Sequence, residues 1–428
     1  MRALFRPDHP VPAELRSNFF HLYMDIAWFA VLSASALSFV AVYAARQGAR
    51  GFQIGLLGAG PAVVNLLFTF PAGRWLERQS TSAAVFWTAV LNRILYLPWV
   101  FLPWLLAPQG QVWTLVSLTL LMSIPGTPLA VGFNALFAEA VPAEWRGYVV
   151  AIRNALLAVV YIGVSLLCGQ ILVRIPFPTG YQVVFALGLL GALMSTVHLW
   201  FVVPTAQGQV RSPAGRGFHS LAWPSLRSLR SRLRALGRPS GSGFLRIDVL
   251  RGPYGRFIAV LFNFYLSIYL AVPLFSLYWV NDLHLTDQVI GLGTAFFYVS
   301  VLVGSTQLAQ VTRRLGNQRV TAIGAMFMCL YPALMALSHG VGLFLAASMM
   351  GGLGWSLVGG ALVNYLLEKV PEDRRSPYLV WYNLALNGAL LLGSLIGPFV
   401  AELVTVRIAL AIFAGLRFVA ALVILRWE

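Results

Sequence analysis

Long apolar runs, each separated from the next by a short polar turn, recur from one end of the chain to the other. A membrane-spanning helix needs about 20 mostly apolar residues. The pattern predicts twelve such spans, at 19–45, 52–73, 83–107, 112–138, 148–173, 180–203, 254–280, 285–311, 319–338, 341–368, 377–403 and 406–425. Several exceed the needed length, so tilt or extension beyond the bilayer is expected. Residues 1–18 carry Arg2, Arg6 and Arg16 and no short apolar core, unlike a cleavable signal peptide. Residues 204–253 break the pattern and separate spans 1–6 from spans 7–12.

Composition sharpens this picture. The 428 residues are 59% hydrophobic and 10% charged, with a mean hydropathy of +0.77. A soluble chain is about 25% charged. So few charges cannot coat a water-facing surface, which excludes a soluble enzyme, a disordered protein and a secreted disulfide scaffold. Cys168 and Cys329 lie in apolar runs and provide neither a disulfide framework nor a metal site. The net charge of +16 is carried almost wholly by Arg between the spans. Anionic lipid headgroups are its expected partner, not nucleic acid. With the N-terminus inside, the basic residues fall on the cytoplasmic side, apart from Arg46, Arg50, Arg174 and Arg407 outside and Arg93, Arg153 and Arg417 within spans. The positive-inside rule therefore places both termini in the cytoplasm. The preference for Arg over Lys suggests a bacterial source, and so a cytoplasmic (inner) membrane.

Inside the linker, Leu226, Leu229, Leu233 and Leu236 recur at helical spacing, with Arg227, Arg230, Arg232 and Arg234 between them. This reads as a basic amphipathic helix on the inner leaflet, or as a solvated linker. The two halves repeat each other. Gln53-Ile54-Gly55-Leu56 opens span 2, and Gln288-Val289-Ile290-Gly291-Leu292 opens span 8. Glu139-Ala140-Val141-Pro142 after span 4 answers Glu368-Lys369-Val370-Pro371 after span 10, and Asn154 answers Asn383. A six-plus-six duplication accounts for these matches, and parallel repeats are a known transporter architecture. The expected domains are 1–18, an N-terminal bundle 19–203, the linker 204–253 and a C-terminal bundle 254–428.

With twelve spans, a basic central loop and both termini inside, the chain resembles the major facilitator superfamily over nearly its whole length. Gly73-Arg74-Trp75-Leu76-Glu77-Arg78 is similar to the first part of the family's Gly-x-x-x-Asp-Arg-x-Gly-Arg loop motif, with Ser80 where Gly is usual. The second half keeps the other end as Arg313-Arg314-Leu315-Gly316. Pro142 and Arg146 resemble the family's Pro-x-x-x-Arg pattern. The resemblance implies an all-α fold of two six-helix pseudo-repeats and a cavity lined by spans 1, 4, 7 and 10. It also implies that Glu77 meets the positive start of span 11, near Ser376 and Tyr378, and latches the outward-facing state. A solvated turn is the plainer alternative. Gly393-Ser394-Leu395-Ile396-Gly397-Pro398 is similar to a hinge motif that the family's drug/proton antiporters carry in span 5, but it stands here in span 11.

Charges inside spans are the first candidates for function. Asp25 lies about six residues into span 1, roughly 9 Å deep, and Arg153 is equally deep in span 5. An Asp25–Arg153 pair that opened and closed with conformation would couple proton uptake to transport. A static structural pair is the other reading. Arg93, near the middle of span 3, competes as the partner of Asp25 or binds an anionic substrate. Arg417 has no evident partner and is expected to snorkel or to bond a neighbouring helix. Helix breaks are expected at Pro125-Gly126-Thr127-Pro128, at Gly352 and Gly354, and at Gly393, Gly397 and Pro398, with close helix packing as the plainer reading of the glycines. Tyr23, Trp28, Asn134, Asn263, Tyr265, Tyr269, Trp355 and Asn364 are the candidate cavity residues.

No phosphate-binding loop, nucleophile elbow or His-Glu-x-x-His motif occurs, so neither enzyme activity nor a cofactor or metal is expected. The sequence reads as a monomeric secondary transporter. Its cargo is a small amphipathic or hydrophobic solute moved by alternating access, with protons as a candidate co-substrate. A non-transporting assembly factor or sensor of the same fold is the alternative.

Overall fold

The computed structural model describes residues 11–205, 247–371 and 375–426. Twelve helices in it are long and apolar enough to cross a membrane. They are α1 (Ala13–Arg46), α2 (Gly51–Leu76), α3 (Thr81–Leu105), α4 (Pro108–Ala140), α5 (Ala143–Arg174) and α6 (Thr179–Trp200), then α7 (Pro253–Asp282), α8 (Asp287–Leu315), α9 (Asn317–Leu337), α10 (Val341–Glu368), α11 (Arg375–Val404) and α12 (Val406–Arg426). Lipid offers the backbone no hydrogen-bond partner, so an apolar run this long satisfies its peptide groups only by becoming helical. No strand occurs among the described residues. Each predicted window coincides with one helix to within about two turns at its ends. The Leu226–Leu236 pattern lies outside the described residues.

Short turns force consecutive helices antiparallel. Gly316 joins α8 to α9 at φ +80°, a left-handed conformation suited to glycine. Pro12, Pro142 and Pro178 stand immediately before α1, α5 and α6, where a missing N–H costs nothing.

The expected helix breaks do not occur. α4 runs through Pro125, Gly126 and Pro128, α10 through Gly352 and Gly354, and α11 through Gly393, Gly397 and Pro398. Close packing explains these residues instead. Gly354 lies against the α9 backbone at Gly324 and Met328, Gly352 against Phe297 of α8, and Gly393 and Gly397 against Tyr269 and Leu270 of α7. In α4 the Asn92 amide donates to the Met122 carbonyl at 2.8 Å, and the Thr127 hydroxyl bonds the Ser123 carbonyl at 2.9 Å. Such side-chain bonds let a membrane helix accommodate proline. The irregular turns lie elsewhere. π-turns occupy Ser33–Leu37 in α1 and Tyr278–Asp282 in α7, and α3 is interrupted between Ile94 and Leu97.

The core divides in a way that defines the shape. Call the end that holds Val11 and Arg426 the near end, and the opposite end the far end. At the far end one continuous apolar cluster joins both halves, from Phe39, Tyr43 and Phe185 to Leu274, Tyr278 and Phe413. At the near end each half has its own cluster. One contains Leu15, Phe19, Leu22 and Leu199, and the other contains Phe257, Ile258, Tyr365 and Ile424. The halves are thus packed together at the far end and separate at the near end.

Candidate functional site

The sequence left Arg153 and Arg93 as rivals for Asp25, and the fold gives it both. Asp25 Oδ2 lies 3.1 Å from Arg153 Nη2, and Oδ1 lies 4.0 Å from Arg93 Nη2. The Ser195 hydroxyl of α6 donates to Oδ1 at 2.5 Å. Arg153 also donates to the Leu22 carbonyl and lies over the Phe133 ring at 4.9 Å. Arg93 donates to Thr196 Oγ1 at 2.9 Å. Exposure is 4% for Asp25, 5% for Arg93 and 8% for Arg153. The cluster is therefore enclosed between α1, α3, α5 and α6 of the first half, with two cations for one carboxylate. Arg417 bonds neighbouring helices without a carboxylate. It donates to the carbonyls of Met328 on α9 and of Ser267 and Ile268 on α7, and its Nε has no partner among the described residues.

At the far end the halves meet along two seams with matching construction. On one, Gly55 of α2 lies against the Ser394 carbonyl of α11, and Gly51 against Pro398. On the other, Gly291 of α8 lies against the Ser165 carbonyl of α5, and a Cβ there would sit 2.7 Å from that oxygen. Gly55 and Gly291 are the glycines of the repeated Gln-Ile-Gly and Gln-Val-Ile-Gly motifs. The internal repeat thus reappears as a pair of equivalent backbone contacts. A polar latch flanks them. Arg46 at the end of α1 lies 2.7 Å from Asp287 at the start of α8 and donates to the Leu285 carbonyl. The Tyr181 hydroxyl of α6 donates to the same carboxylate at 2.8 Å. Tyr161 of α5 stacks on Tyr298 of α8 just below.

At the near end the wall opens. Asn134, Asn154, Asn263, Asn364 and Asn383 are exposed, and Trp355 is 50% exposed. Tyr265 and Tyr382 bond each other through their hydroxyls at 2.7 Å, across α7 and α11. Tyr269 and Trp28 are half-buried, and the Trp28 carbonyl packs against Gly191 of α6. The Tyr23 hydroxyl is buried without a partner among the described residues. In the loop motifs, Arg74, Glu77, Arg78, Arg313 and Arg314 are all exposed, and nothing stands within 4 Å of a Cβ on Gly73.

Sequence reading missed the latch of Arg46, Tyr181 and Asp287, because each sits at a helix end where a charge or tyrosine is unremarkable. It also missed the pairing of His21 with His198 at 3.0 Å between their Nδ1 atoms. The two seams did carry a signal, the repeated glycine motif.

Comparison with known proteins completes the description. The family model described as Major Facilitator Superfamily matches residues 257–428. The "Quinolone resistance protein NorA" of Staphylococcus aureus (strain MRSA252) is 25% identical over 142 residues, 33% of this chain and 36% of that protein. "Multidrug resistance protein 1" of Bacillus subtilis (strain 168) is 24% identical over a stretch of the same length. The match thus spans about a third of these curated relatives. Solved structures align over almost the whole chain. A bacterial homologue of the iron transporter ferroportin in an inward-facing state aligns with TM-score 0.70 and 14% identity, covering 98% of this chain and 99% of that one. The nucleoside transporter NupG aligns with TM-score 0.66 and 13% identity, covering 96% and 99%. A D-xylose-proton symporter aligns with TM-score 0.67 and 16% identity, covering 96% and 97%. At these identities the structures establish a shared fold.

Proposed function

We infer that this chain, a major facilitator superfamily protein by its fold and by the family model over its second half, is a secondary active transporter. It moves a small amphipathic or hydrophobic solute by alternating access. The observation that carries this reading is the divided core. The halves share one apolar cluster at the far end and have separate clusters at the near end. A two-state rocking transporter has this form in one of its end states. We read the near end, where the basic residues concentrate, as the cytoplasmic one by the positive-inside rule, and on that reading the described state faces inward.

In the opposite state the far seams part and the near end closes. Glu77, exposed here, then meets the start of α11, and Arg74 and Arg78 position it or hold lipid phosphate. The exposed Arg residues of the near end contact anionic headgroups throughout the cycle. One chain encloses the whole pathway, so the working unit is a monomer.

Asp25 is the proposed coupling group. Asp25 and Arg153 both belong to the first half, so coupling requires a rearrangement within it: α5 also forms a far seam, and its shift against α1 as that seam parts would move the cation relative to the carboxylate.

The test is solute flux in proteoliposomes with an imposed pH gradient, comparing the wild type with Asp25→Asn, screened over antibiotics, lipophilic dyes and metabolites. Wild-type flux is expected to follow the gradient. Asp25→Asn is expected to keep downhill exchange and lose the gradient response. If both proteins respond equally, Asp25 is structural. If the wild type moves nothing and instead co-purifies with a partner at fixed stoichiometry, the assembly-factor reading replaces transport.

A further inference from the structure

We propose that the cavity selects an electroneutral solute with both hydrogen-bond donors and acceptors, and that side-chain amides led by Asn154 and Asn383 bind it. This rests on the transport reading above and names the substrate class of that cavity.

Helix register places these amides. Asn154 lies about three turns before Ser165 on α5, and Asn383 lies about three turns before Ser394 on α11. The two serine carbonyls are the ones that abut Gly291 and Gly55 in the far seams. Both asparagines therefore continue a seam-forming face into the near half, where that face is exposed. They are also the pair matched between the two sequence repeats, so they face the opening from opposite halves. Asn387, one turn on from Asn383, shares its face. Asn134 lies five turns along α4 from the buried core residue Val116, and so continues a face that packs inward.

These amides have bonding capacity to spare. Among the described residues Asn134, Asn154 and Asn263 hold no hydrogen bond. Asn383 and Asn387 donate only to the carbonyls of Leu379 and Asn383, one turn back on their own helix, at 3.0 and 2.9 Å. A carboxamide offers two donors and two acceptor lone pairs, and so recognises a neutral polar edge in either sense. Polar side chains at membrane depth without partners are costly, and where they persist they mark the solute's path.

Charge is what the cavity lacks. Away from their ends, the described spans carry Asp25, Arg93, Arg153 and Arg417 as their charged residues, and these are 4%, 5%, 8% and 2% exposed. The one carboxylate is already held by Arg153, Arg93 and Ser195. A cationic solute would find no free counter-charge and would feel three buried guanidiniums against one carboxylate. An anion would find the guanidiniums enclosed. A neutral solute pays neither penalty. The Tyr265–Tyr382 pair provides flat apolar faces next to Asn383.

The experiment is equilibrium binding to the purified full chain in lipid nanodiscs, which does not depend on flux. The probes are radiolabelled chloramphenicol and uridine, both uncharged, and tetraphenylphosphonium, a cation. The variants are Asn154→Asp, Asn383→Asp and, on a third helix, Asn134→Asp. Size-exclusion profiles confirm that each is folded. The wild type is expected to bind an uncharged probe and to bind tetraphenylphosphonium at least tenfold more weakly. The aspartate variants are expected to gain at least tenfold in tetraphenylphosphonium affinity. Three outcomes each overturn the proposal: strong cation binding by the wild type, no gain in any folded aspartate variant, or no uncharged probe bound by a wild type that a flux assay shows to be active. A chain that binds an uncharged probe but shows no flux keeps the selectivity and loses the transport reading.

Discussion

Two buried charge sites contrast at the scale of the residue. Asp25 neutralises one of two neighbouring guanidiniums, and the fold closes around all three. Removing one member of a buried pair leaves an uncompensated charge, at a cost of about 3–5 kcal/mol. Asp25→Ala is therefore expected to lower thermal stability in detergent sharply, and Asp25→Asn less, because the amide oxygen still accepts from Arg153 while its NH2 donates to the Ser195 hydroxyl. Arg417 has no carboxylate to strand and bonds only main-chain carbonyls. Replacing a buried ion with an apolar side chain of similar length is often neutral or stabilising by about 1–4 kcal/mol. Arg417→Met is thus expected to leave the melting temperature unchanged or to raise it. A melting series over both sites checks the two expectations together. A large loss at Arg417 would mean that its carbonyl bonds fix the α7–α9–α12 packing. The sequence marked both residues as charges in apolar runs. It could not show that Arg93 and Arg153 would reach the same carboxylate, because those contacts join residues far apart in the chain.

Glycine decides between interruption and contact at the scale of the helix. Small residues allow membrane helices to approach to backbone contact. Sequence spacing treated the Gly and Pro clusters of α4, α10 and α11 as breaks, yet each helix runs through them. Whether a glycine bends its own helix or receives a neighbour depends on what stands opposite, which helical periodicity does not encode. Gly55 and Gly291 show the second use most clearly. Gly55→Leu and Gly291→Leu are each expected to wedge the far seam. A cysteine placed at Asn383 to report near-end access should then react more slowly with an aqueous maleimide than the same cysteine in the parent protein. Unchanged labelling in both variants would mean that the far seams do not control the near opening.

At the scale of the whole molecule, the proposed cycle turns on an equilibrium between two packings. In that proposal the seams and latch favour the described state, and the exposed loop motifs act in the other. The Arg46–Asp287 pair is 26% and 14% exposed at its side chains, so its contribution is on the order of 1 kcal/mol or less. A difference of that size still shifts a two-state population severalfold. Asp287→Asn is expected to increase the far-open population by that factor. Spin labels placed across the far end on α2 and α11 would show it as growth of a longer-distance peak. The opposite shift would mean that the latch is strained in this state.

The apolar runs, the basic turns and the repeated motifs determined twelve helices, their alternating direction and the family resemblance, because lipid leaves a long apolar segment no other way to satisfy its backbone. The same signals marked Asp25, Arg93 and Arg153 as candidates, because a charge at such depth is exceptional. Tertiary structure alone decided that all three share one site and that Arg417 needs no acid. It also decided that glycines 55 and 291 form the seams and that an aspartate at the start of α8 holds an arginine from the end of α1. Each of these depends on which helix faces are turned toward each other, and that is fixed by packing between segments far apart in the chain. The opening at the near end has the same origin, because it is a relation between two halves, each of which the sequence describes separately.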